Sequence, residues 1–224
     1  MTEDRSARGG SSTSRPKRSH SSPRSDGASF TSTSPGSPPG AAAIRELAAR
    51  YGIHPTKALG QNFLLDPNLA AAIVRDADVQ PGERVVEVGA GFGSLTVALA
   101  AAGASVLAIE FDRRLVPALE EVVAPYPSVE VLHADATKLD WPATAGPGTC
   151  IVCANLPYNV GTSIVMDIVT GAPTVARLAV LVQREVGERL AAGPEQPHAY
   201  GAISAKLAYH AEARVVRHVP ADVF

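Results

Sequence analysis

From Arg84 onward, short apolar runs alternate with amphipathic stretches, and this alternation limits the fold more than any other feature of the 224 residues. Arg84–Val88, Ser105–Ile109, Val129–His133, Thr149–Ala154, Ala176–Gln183 and Ala213–Val219 read as strands. Each is short, rich in Val, Ile, Leu or Ala, and bounded by turn residues. Ser94–Ala102, Arg113–Val123, Thr162–Thr170, Glu185–Ala191 and Tyr200–Tyr209 read as helices. Strands that alternate with helices build a parallel sheet covered on both faces, an α/β architecture. Two further helices precede it. Ala41–Tyr51 places Ile44, Leu47, Ala48 and Tyr51 on one face and stops at Gly52. The second starts at Asp66-Pro67, with Asp as N-cap and Pro at the first helical position.

In such sheets ligands sit at the carboxyl ends of the strands, near the point where strand order reverses. Chemistry-bearing residues therefore matter most where a strand ends. Gly89-Ala-Gly91-Phe-Gly93 follows the first strand of the alternation and opens a helix. Glycine lets the backbone turn tightly and lets a ligand approach without a Cβ in the way. A dinucleotide loop spaces its glycines as G-x-G-x-x-G or A; here the third comes one residue early and Ser94 holds the last place. The loop suits a cofactor with no pyrophosphate to cradle. Glu110 ends the next strand, about twenty residues on, where a carboxylate accepts ribose hydroxyls. Asp135 follows the third strand in His133-Ala-Asp135-Ala, positioned to accept from an adenine amine. Each has a plainer reading: a tight turn, a solvated strand-end acid, a helix N-cap.

Asn155-Leu156-Pro157-Tyr158 follows the apolar run Thr149–Ala154 and separates these readings. The exocyclic amine of adenine is a poor nucleophile because its lone pair is delocalised into the ring. A carboxamide oxygen from Asn155, with a backbone carbonyl of the same turn, can hold both N–H hydrogens and favour a pyramidal nitrogen. Tyr158 can stack on an extruded base. Pro157 fixes the turn and offers no competing N–H. No metal or strong base is needed, because positioning for in-line displacement is the main requirement. The plain alternative is an Asn-Pro turn with a packing Tyr. Taken together, the glycine loop, the acids and this tetrapeptide point to methyl transfer from S-adenosylmethionine onto a base.

Residues 1–40 are dominated by Ser, Pro, Gly and Arg. They lack the apolar side chains needed to offset the entropy of ordering, so they read as a disordered, mildly basic arm. Arg and Ser richness is shared with organelle transit peptides, but Glu3 and Asp4 and the lack of an amphipathic pattern argue against one. No apolar stretch approaches the ~20 residues of a membrane span, and no secretory core is visible. A net charge of −2 does not announce a nucleic-acid binder, so an RNA-binding face must be a local basic patch. Lys57, Arg113, Arg114, Arg184 and Arg189 are its candidates. Cys150 and Cys153 form a C-x-x-C inside a strand. Residues three apart on a strand point to opposite faces, which makes them buried thiols rather than a redox or zinc pair. The histidines show no ligand spacing, and no metal is expected.

The ordered set of motifs resembles the small-subunit ribosomal RNA adenine N6,N6-dimethyltransferases of the KsgA type. The resemblance runs from about Lys57 to Phe224. It is carried by Gly60-Gln61-Asn62-Phe63-Leu64, the glycine loop, Glu110, His133-Ala-Asp135-Ala, Asn155-Leu-Pro-Tyr158-Asn159, Gln183-Arg-Glu185-Val186 and Tyr200-Gly201-Ala202-Ile-Ser204. It implies a Rossmann-like class I methyltransferase sheet over residues 41–224, with S-adenosylmethionine as cofactor. Asn62, Leu64, Gly89, Gly91, Glu110, Asp135 and Asn155 would contact that cofactor. Asn155, Pro157 and Tyr158 would act at the base, and Phe224 would help sandwich it. The implied substrate is a pair of adjacent adenosines in a small-subunit rRNA hairpin, each methylated twice. The implied setting is a monomer in the cytoplasm, serving ribosome biogenesis away from any membrane. Related enzymes methylate a large-subunit adenosine and confer macrolide resistance; the leucine after Asn155 and the two downstream stretches favour the small-subunit branch. The family continues past Phe224 into a last strand and a small helical domain, so the sequence reads as C-terminally incomplete. The competing reading is a catalytically weak RNA-binding or ribosome-assembly factor. A nucleotide-dependent oxidoreductase is disfavoured by the glycine spacing.

Overall fold

The computed structural model describes residues 37–54, 63–157 and 159–220. At its centre is a parallel five-stranded sheet of order β3-β2-β1-β4-β5. The strands are β1 (Arg84–Val88), β2 (Ser105–Glu110), β3 (Val129–His133), β4 (Cys150–Asn155) and β5 (Val175–Leu181). The chain builds β1, β2 and β3 outward in one direction, then returns to place β4 on the other side of β1. The order therefore reverses between β1 and β4, which run in register from Arg84 opposite Cys150 to Val88 opposite Ala154.

The two faces of the sheet are filled by different helices, as the near-continuous apolar strands require. Val85, Val106, Ala108, Ile151 and Cys153 pack under α2 (Pro67–Asp76), α3 (Ser94–Ala101) and the end of α4 (Val116–Val123). Val86, Val88, Leu107, Ile109, Cys150, Val152 and Ala154 pack on the opposite face. There they meet α5 (Trp141–Ala145), α6 (Gly161–Gly171), α7 (Arg184–Ala191) and α8 (Ala202–His210). Cys150 and Cys153 thus lie on opposite faces, both free and buried. Helix α1 (Ala41–Arg50) forms a smaller third cluster, in which Ile44 and Leu47 meet Phe92, Leu115 and Ala118.

Local chemistry explains the element starts. Asp66 caps α2 by accepting from the Asn68 amide at 2.8 Å, with Pro67 at the first helical position. The helix expected from Arg113 begins only at Val116, where Pro117 sets the first turn. Helix α5, absent from the sequence reading, uses Asp140 as N-cap and Pro142 in its first turn. The strand expected over Ala213–Val219 is not formed. Among the described residues the sheet ends at β5, and this segment has no hydrogen-bonded neighbour strand. Without a partner for its amides and carbonyls it cannot be a strand. Val215 and Val216 are exposed, and Arg217 instead pairs with Asp76 on α2 at 2.9 Å.

Candidate active site

A cleft of about 310 Å³ opens at the carboxyl ends of β1, β2 and β4, at the reversal in strand order. Its size is that of a small-molecule site. Leu64, Gly89, Gly91, Glu110, Asp135, Asn155 and Pro157 all line it. Asn62, Tyr158 and Phe224 lie outside the described residues.

The floor is the turn after β1. Gly89 and Gly91 have φ of +76° and +59°, left-handed conformations that side-chain-bearing residues rarely adopt. A Cβ on Gly89 would stand 3.3 Å from the Asn155 carbonyl oxygen, and one on Gly91 would stand 3.2 Å from the Phe63 ring. The turn therefore holds its backbone bare where it faces β4. Phe63 packs edge-on against Phe92 at 4.7 Å between ring centres. Ile44 of α1 also reaches the cleft. Ser94 donates its hydroxyl to the Pro39 carbonyl at 3.2 Å, so the residues leading into α1 rest on the start of α3.

Glu110 is held by its backbone surroundings. Its Oε2 accepts from the Gly91 amide at 2.8 Å, and its Oε1 accepts from the Asp112 amide at 2.7 Å. Burial pushes the carboxyl up; the Asp112 and Gly91 amides work the other way by favouring the charged form. The acid is thus aimed by the loop it faces. Next to it Phe111 is 56% exposed at the cleft, and its carbonyl lies 3.1 Å from His133 Nε2.

Asp135 is an N-cap, the plainer of the two roles its position allowed. Its Oδ1 accepts from the Thr137 amide at 3.0 Å and the Thr137 hydroxyl at 2.7 Å, and its Oδ2 pairs with Lys138 at 3.1 Å. The Thr137 hydroxyl, then Lys138, hold its carboxyl below the usual range, so it presents a fixed negative charge to the cleft. The capping role does not remove it from the cleft, since a carboxylate has about four acceptor sites.

Asn155 is the last residue of β4, paired in register with Leu181 of β5. The chain then turns: the Leu156 amide donates to the Leu181 carbonyl, and the Pro157 carbonyl accepts from the Val160 and Gly161 amides at 3.3 and 3.0 Å. Pro157 thus closes the turn that leads into α6 and holds Asn155 at the cleft. Of the cationic candidates, Arg114 pairs with Asp112 and Arg184 with Glu188, while Arg113 and Arg189 are exposed. Lys57 lies outside the described residues.

The sequence reading gave no role to Glu87, Phe111 or Ile44, all of which line the cleft. Glu87 was visible as an acid inside the apolar run Val85-Val86-Glu87-Val88, and buried acids are rare without a reason.

The residues present fit a nucleoside cofactor with an amino-acid arm. A bare glycine turn, a backbone-aimed carboxylate and a fixed Asp stand around one cleft, and among the described residues no loop is shaped for a pyrophosphate. Comparisons with known proteins agree. The model of the family described as ribosomal RNA adenine dimethylase matches residues 54–224. The protein named ribosomal RNA small subunit methyltransferase A from Methylobacterium radiotolerans is 44% identical over 186 residues, covering 81% of this chain and 64% of that protein. Its namesake from Thermobifida fusca gives the same identity and coverage. The chain thus spans somewhat under two thirds of the length of these curated relatives. Among solved structures, the 23S rRNA methyltransferase ErmE is 31% identical with a TM-score of 0.53, covering 58% of this chain and 51% of that one. A dimethyladenosine transferase from Plasmodium falciparum has a TM-score of 0.57 at 24% identity, covering 65% of this chain and 51% of that one. That likeness identifies the sheet and its helices as the Rossmann-like class I methyltransferase fold. With three quarters of its length matched by the family model, the chain belongs to the ribosomal RNA adenine dimethylase family.

Proposed function

We propose that this protein transfers methyl groups from S-adenosylmethionine to N6 of adenosines in small-subunit ribosomal RNA, giving dimethyladenosine during ribosome biogenesis. The observation that carries this reading is the meeting of the β1 glycine turn and the β4 Asn155 turn at one cleft, so close that a Cβ on Gly89 would stand 3.3 Å from the Asn155 carbonyl oxygen. A cofactor-shaped turn and a base-gripping amide are useful together only if a group passes between cofactor and base. When bound, S-adenosylmethionine supplies an electrophilic methyl carbon on a sulfonium. Glu110 accepts the ribose hydroxyls. Asp135 accepts from the cofactor's adenine amine, and Leu64, Gly89 and Gly91 shape the remaining walls.

At the substrate base, the Asn155 carboxamide oxygen accepts one exocyclic N–H. The Pro157 carbonyl is engaged by two amides, so the second N–H falls to the Leu156 carbonyl. Holding both hydrogens localises the lone pair on nitrogen for in-line attack. The N–H proton lost after transfer passes to solvent, since the alkylated amine is acidic. Tyr158 stacks on the base, Phe224 covers it, and Asn62 completes the cofactor contacts. Residues 41–224 form the methyltransferase domain, preceded by the Ser-, Pro- and Arg-rich residues 1–40. The protein acts as a monomer in the cytoplasm; no helix among the described residues is long and apolar enough to cross a membrane.

The names of the curated relatives favour the small-subunit substrate, whereas the likeness to ErmE leaves the large-subunit reading as the competitor. Incubating the protein with methyl-labelled S-adenosylmethionine and undermethylated small or large subunits separates them. Label recovered as dimethyladenosine from small subunits alone is the expected result. Label from large subunits alone would move the assignment to the competitor, and cofactor binding without label would favour a ribosome-assembly factor.

A further inference from the structure

Helix α1 lends Ile44 to the cleft wall, and the way it is fastened gives it a task. It is ten residues long, and a helix of that length is marginal by itself. Gly40 at its N-cap has no side chain to cap the first turn. Ile44 and Leu47 are its buried side chains, and they share a cluster with Phe92, the residue between Gly91 and Gly93. Apolar contact of this kind holds a helix down without fixing its direction.

The C-terminal end of α1 is fastened by directional bonds. Arg50 Nη1 donates to Glu121 Oε1 and the Tyr51 hydroxyl donates to Glu121 Oε2, each at 2.5 Å. Both oxygens of one carboxylate on α4 are thus committed to α1. Arg50 also donates to Glu46 within α1 at 3.0 Å, which steadies the guanidinium. The Glu121 hydrogen bond, ahead of burial, raises the Tyr51 hydroxyl above its ordinary value, so it stays a donor.

The helix that carries Glu121 is itself seated on the glycine turn. A Cβ on Gly93 would stand 3.1 Å from Leu119 and from Val122, the residues that flank Glu120 and Glu121 on α4. Helix α1 therefore lies over the turn with its middle on Phe92 and its end tied to the helix that the turn supports. Glu121 stands outside the cleft, so whatever it does there it does through α1.

We propose that Glu121 is a positioning residue for the cofactor: it latches α1 as a wall of the cleft, and the latched helix sets how fast the bound cofactor leaves. This rests on the S-adenosylmethionine reading of the cleft, and the test separates the two. The Arg50–Glu121 pair is about a third exposed on each side, 39% and 32%, and contributes little alone. The Tyr51 bond to a charged acceptor is the larger part, and losing one such bond shifts a docked–undocked equilibrium by about tenfold.

The probe is radiolabelled S-adenosylhomocysteine, bound to the full chain and chased with unlabelled ligand, alongside hydrogen exchange of the backbone amides. Glu121→Ala should raise the off-rate about tenfold. Its affinity should fall by that factor or less, since a loosened wall also admits ligand faster. The amides of α1 should exchange faster, while those of β1 and β4 keep wild-type protection. Glu121→Gln, which keeps an acceptor and loses the charge, should fall between wild type and Glu121→Ala. A merely structural loss of folded protein would lower the number of binding sites and leave the off-rate of the remaining complex unchanged; that result would overturn the proposal. So would faster exchange in α1 with a wild-type off-rate, which would mean that α1 is no barrier to release. Should Glu121→Ala not fold, Tyr51→Phe removes a single bond to the same carboxylate, and a wild-type off-rate there overturns the proposal. No binding by the wild type would overturn the cofactor reading and this proposal with it.

Discussion

Gly89 and Asn155 approach so closely that a Cβ on the glycine would lie 3.3 Å from the Asn155 carbonyl oxygen. One residue opens the turn after β1 and the other ends β4, strands that are 66 residues apart at the cleft but paired in register throughout β1. The two parts of the site are therefore set by one strand pairing, and a change at either should be felt at the other.

Gly89→Ala should show this directly. The new methyl meets a φ of +76° and the Asn155 carbonyl at once. The left-handed conformation alone costs a non-glycine residue about 1–2 kcal/mol. The expected outcome is a lowered melting temperature and at least a tenfold weaker affinity for S-adenosylhomocysteine, read by thermal shift and calorimetry. An unchanged affinity would mean that this turn does not face the cofactor.

Glu110→Ala removes a carboxylate that the Gly91 and Asp112 amides aim at the cleft. Hydrogen bonds to charged groups contribute about 1.5–3 kcal/mol each. Loss of the proposed ribose contacts should weaken S-adenosylhomocysteine by tenfold or more. Adenine-free analogues that retain only the amino-acid arm should lose little, and competition binding distinguishes the two.

The pH dependence of stability should carry the signature of Glu87. Its folded carboxyl is raised from 4.5 to about 8. Between these values the folded state holds a proton that the unfolded state has lost. Stability therefore falls as pH rises through that window, by up to about 1.4 kcal/mol per unit, and levels off above it. Glu87→Gln should flatten this slope in urea unfolding and be relatively more stable at pH 8 than at pH 5. A wild-type slope of opposite sign, or one left intact in the variant, would contradict the buried, neutral acid.

Much of this arrangement was legible in the sequence because the alternation of strand and helix leaves few topologies open. The glycine turn, Glu110, Asp135 and Asn155 could each be placed at a strand end before any coordinates, and all of them line the same cleft. What escaped depended on partners far along the chain. Ala213–Val219 has strand-like residues, but a strand is defined by its neighbour, and β5 is not hydrogen-bonded to it. Helix α5 is only five residues long, too short for a periodic pattern, although its Asp140-Trp-Pro142 start repeats the logic of Asp66-Pro67. Phe111 and Ile44 gave no local signal, because an apolar residue after a strand or on a helix face reads as core until its neighbours are known.

The central claim is that Asn155 holds the acceptor nitrogen for methyl transfer, and Asn155→Ala tests it most directly. Single-turnover transfer to undermethylated small subunits should be followed by mass spectrometry of dimethyladenosine, alongside rRNA binding and S-adenosylhomocysteine affinity of the same preparation. The account predicts a loss of transfer of at least a hundredfold, with rRNA binding within a few-fold of wild type. Transfer that survives the substitution, or falls only in step with rRNA binding, would contradict it.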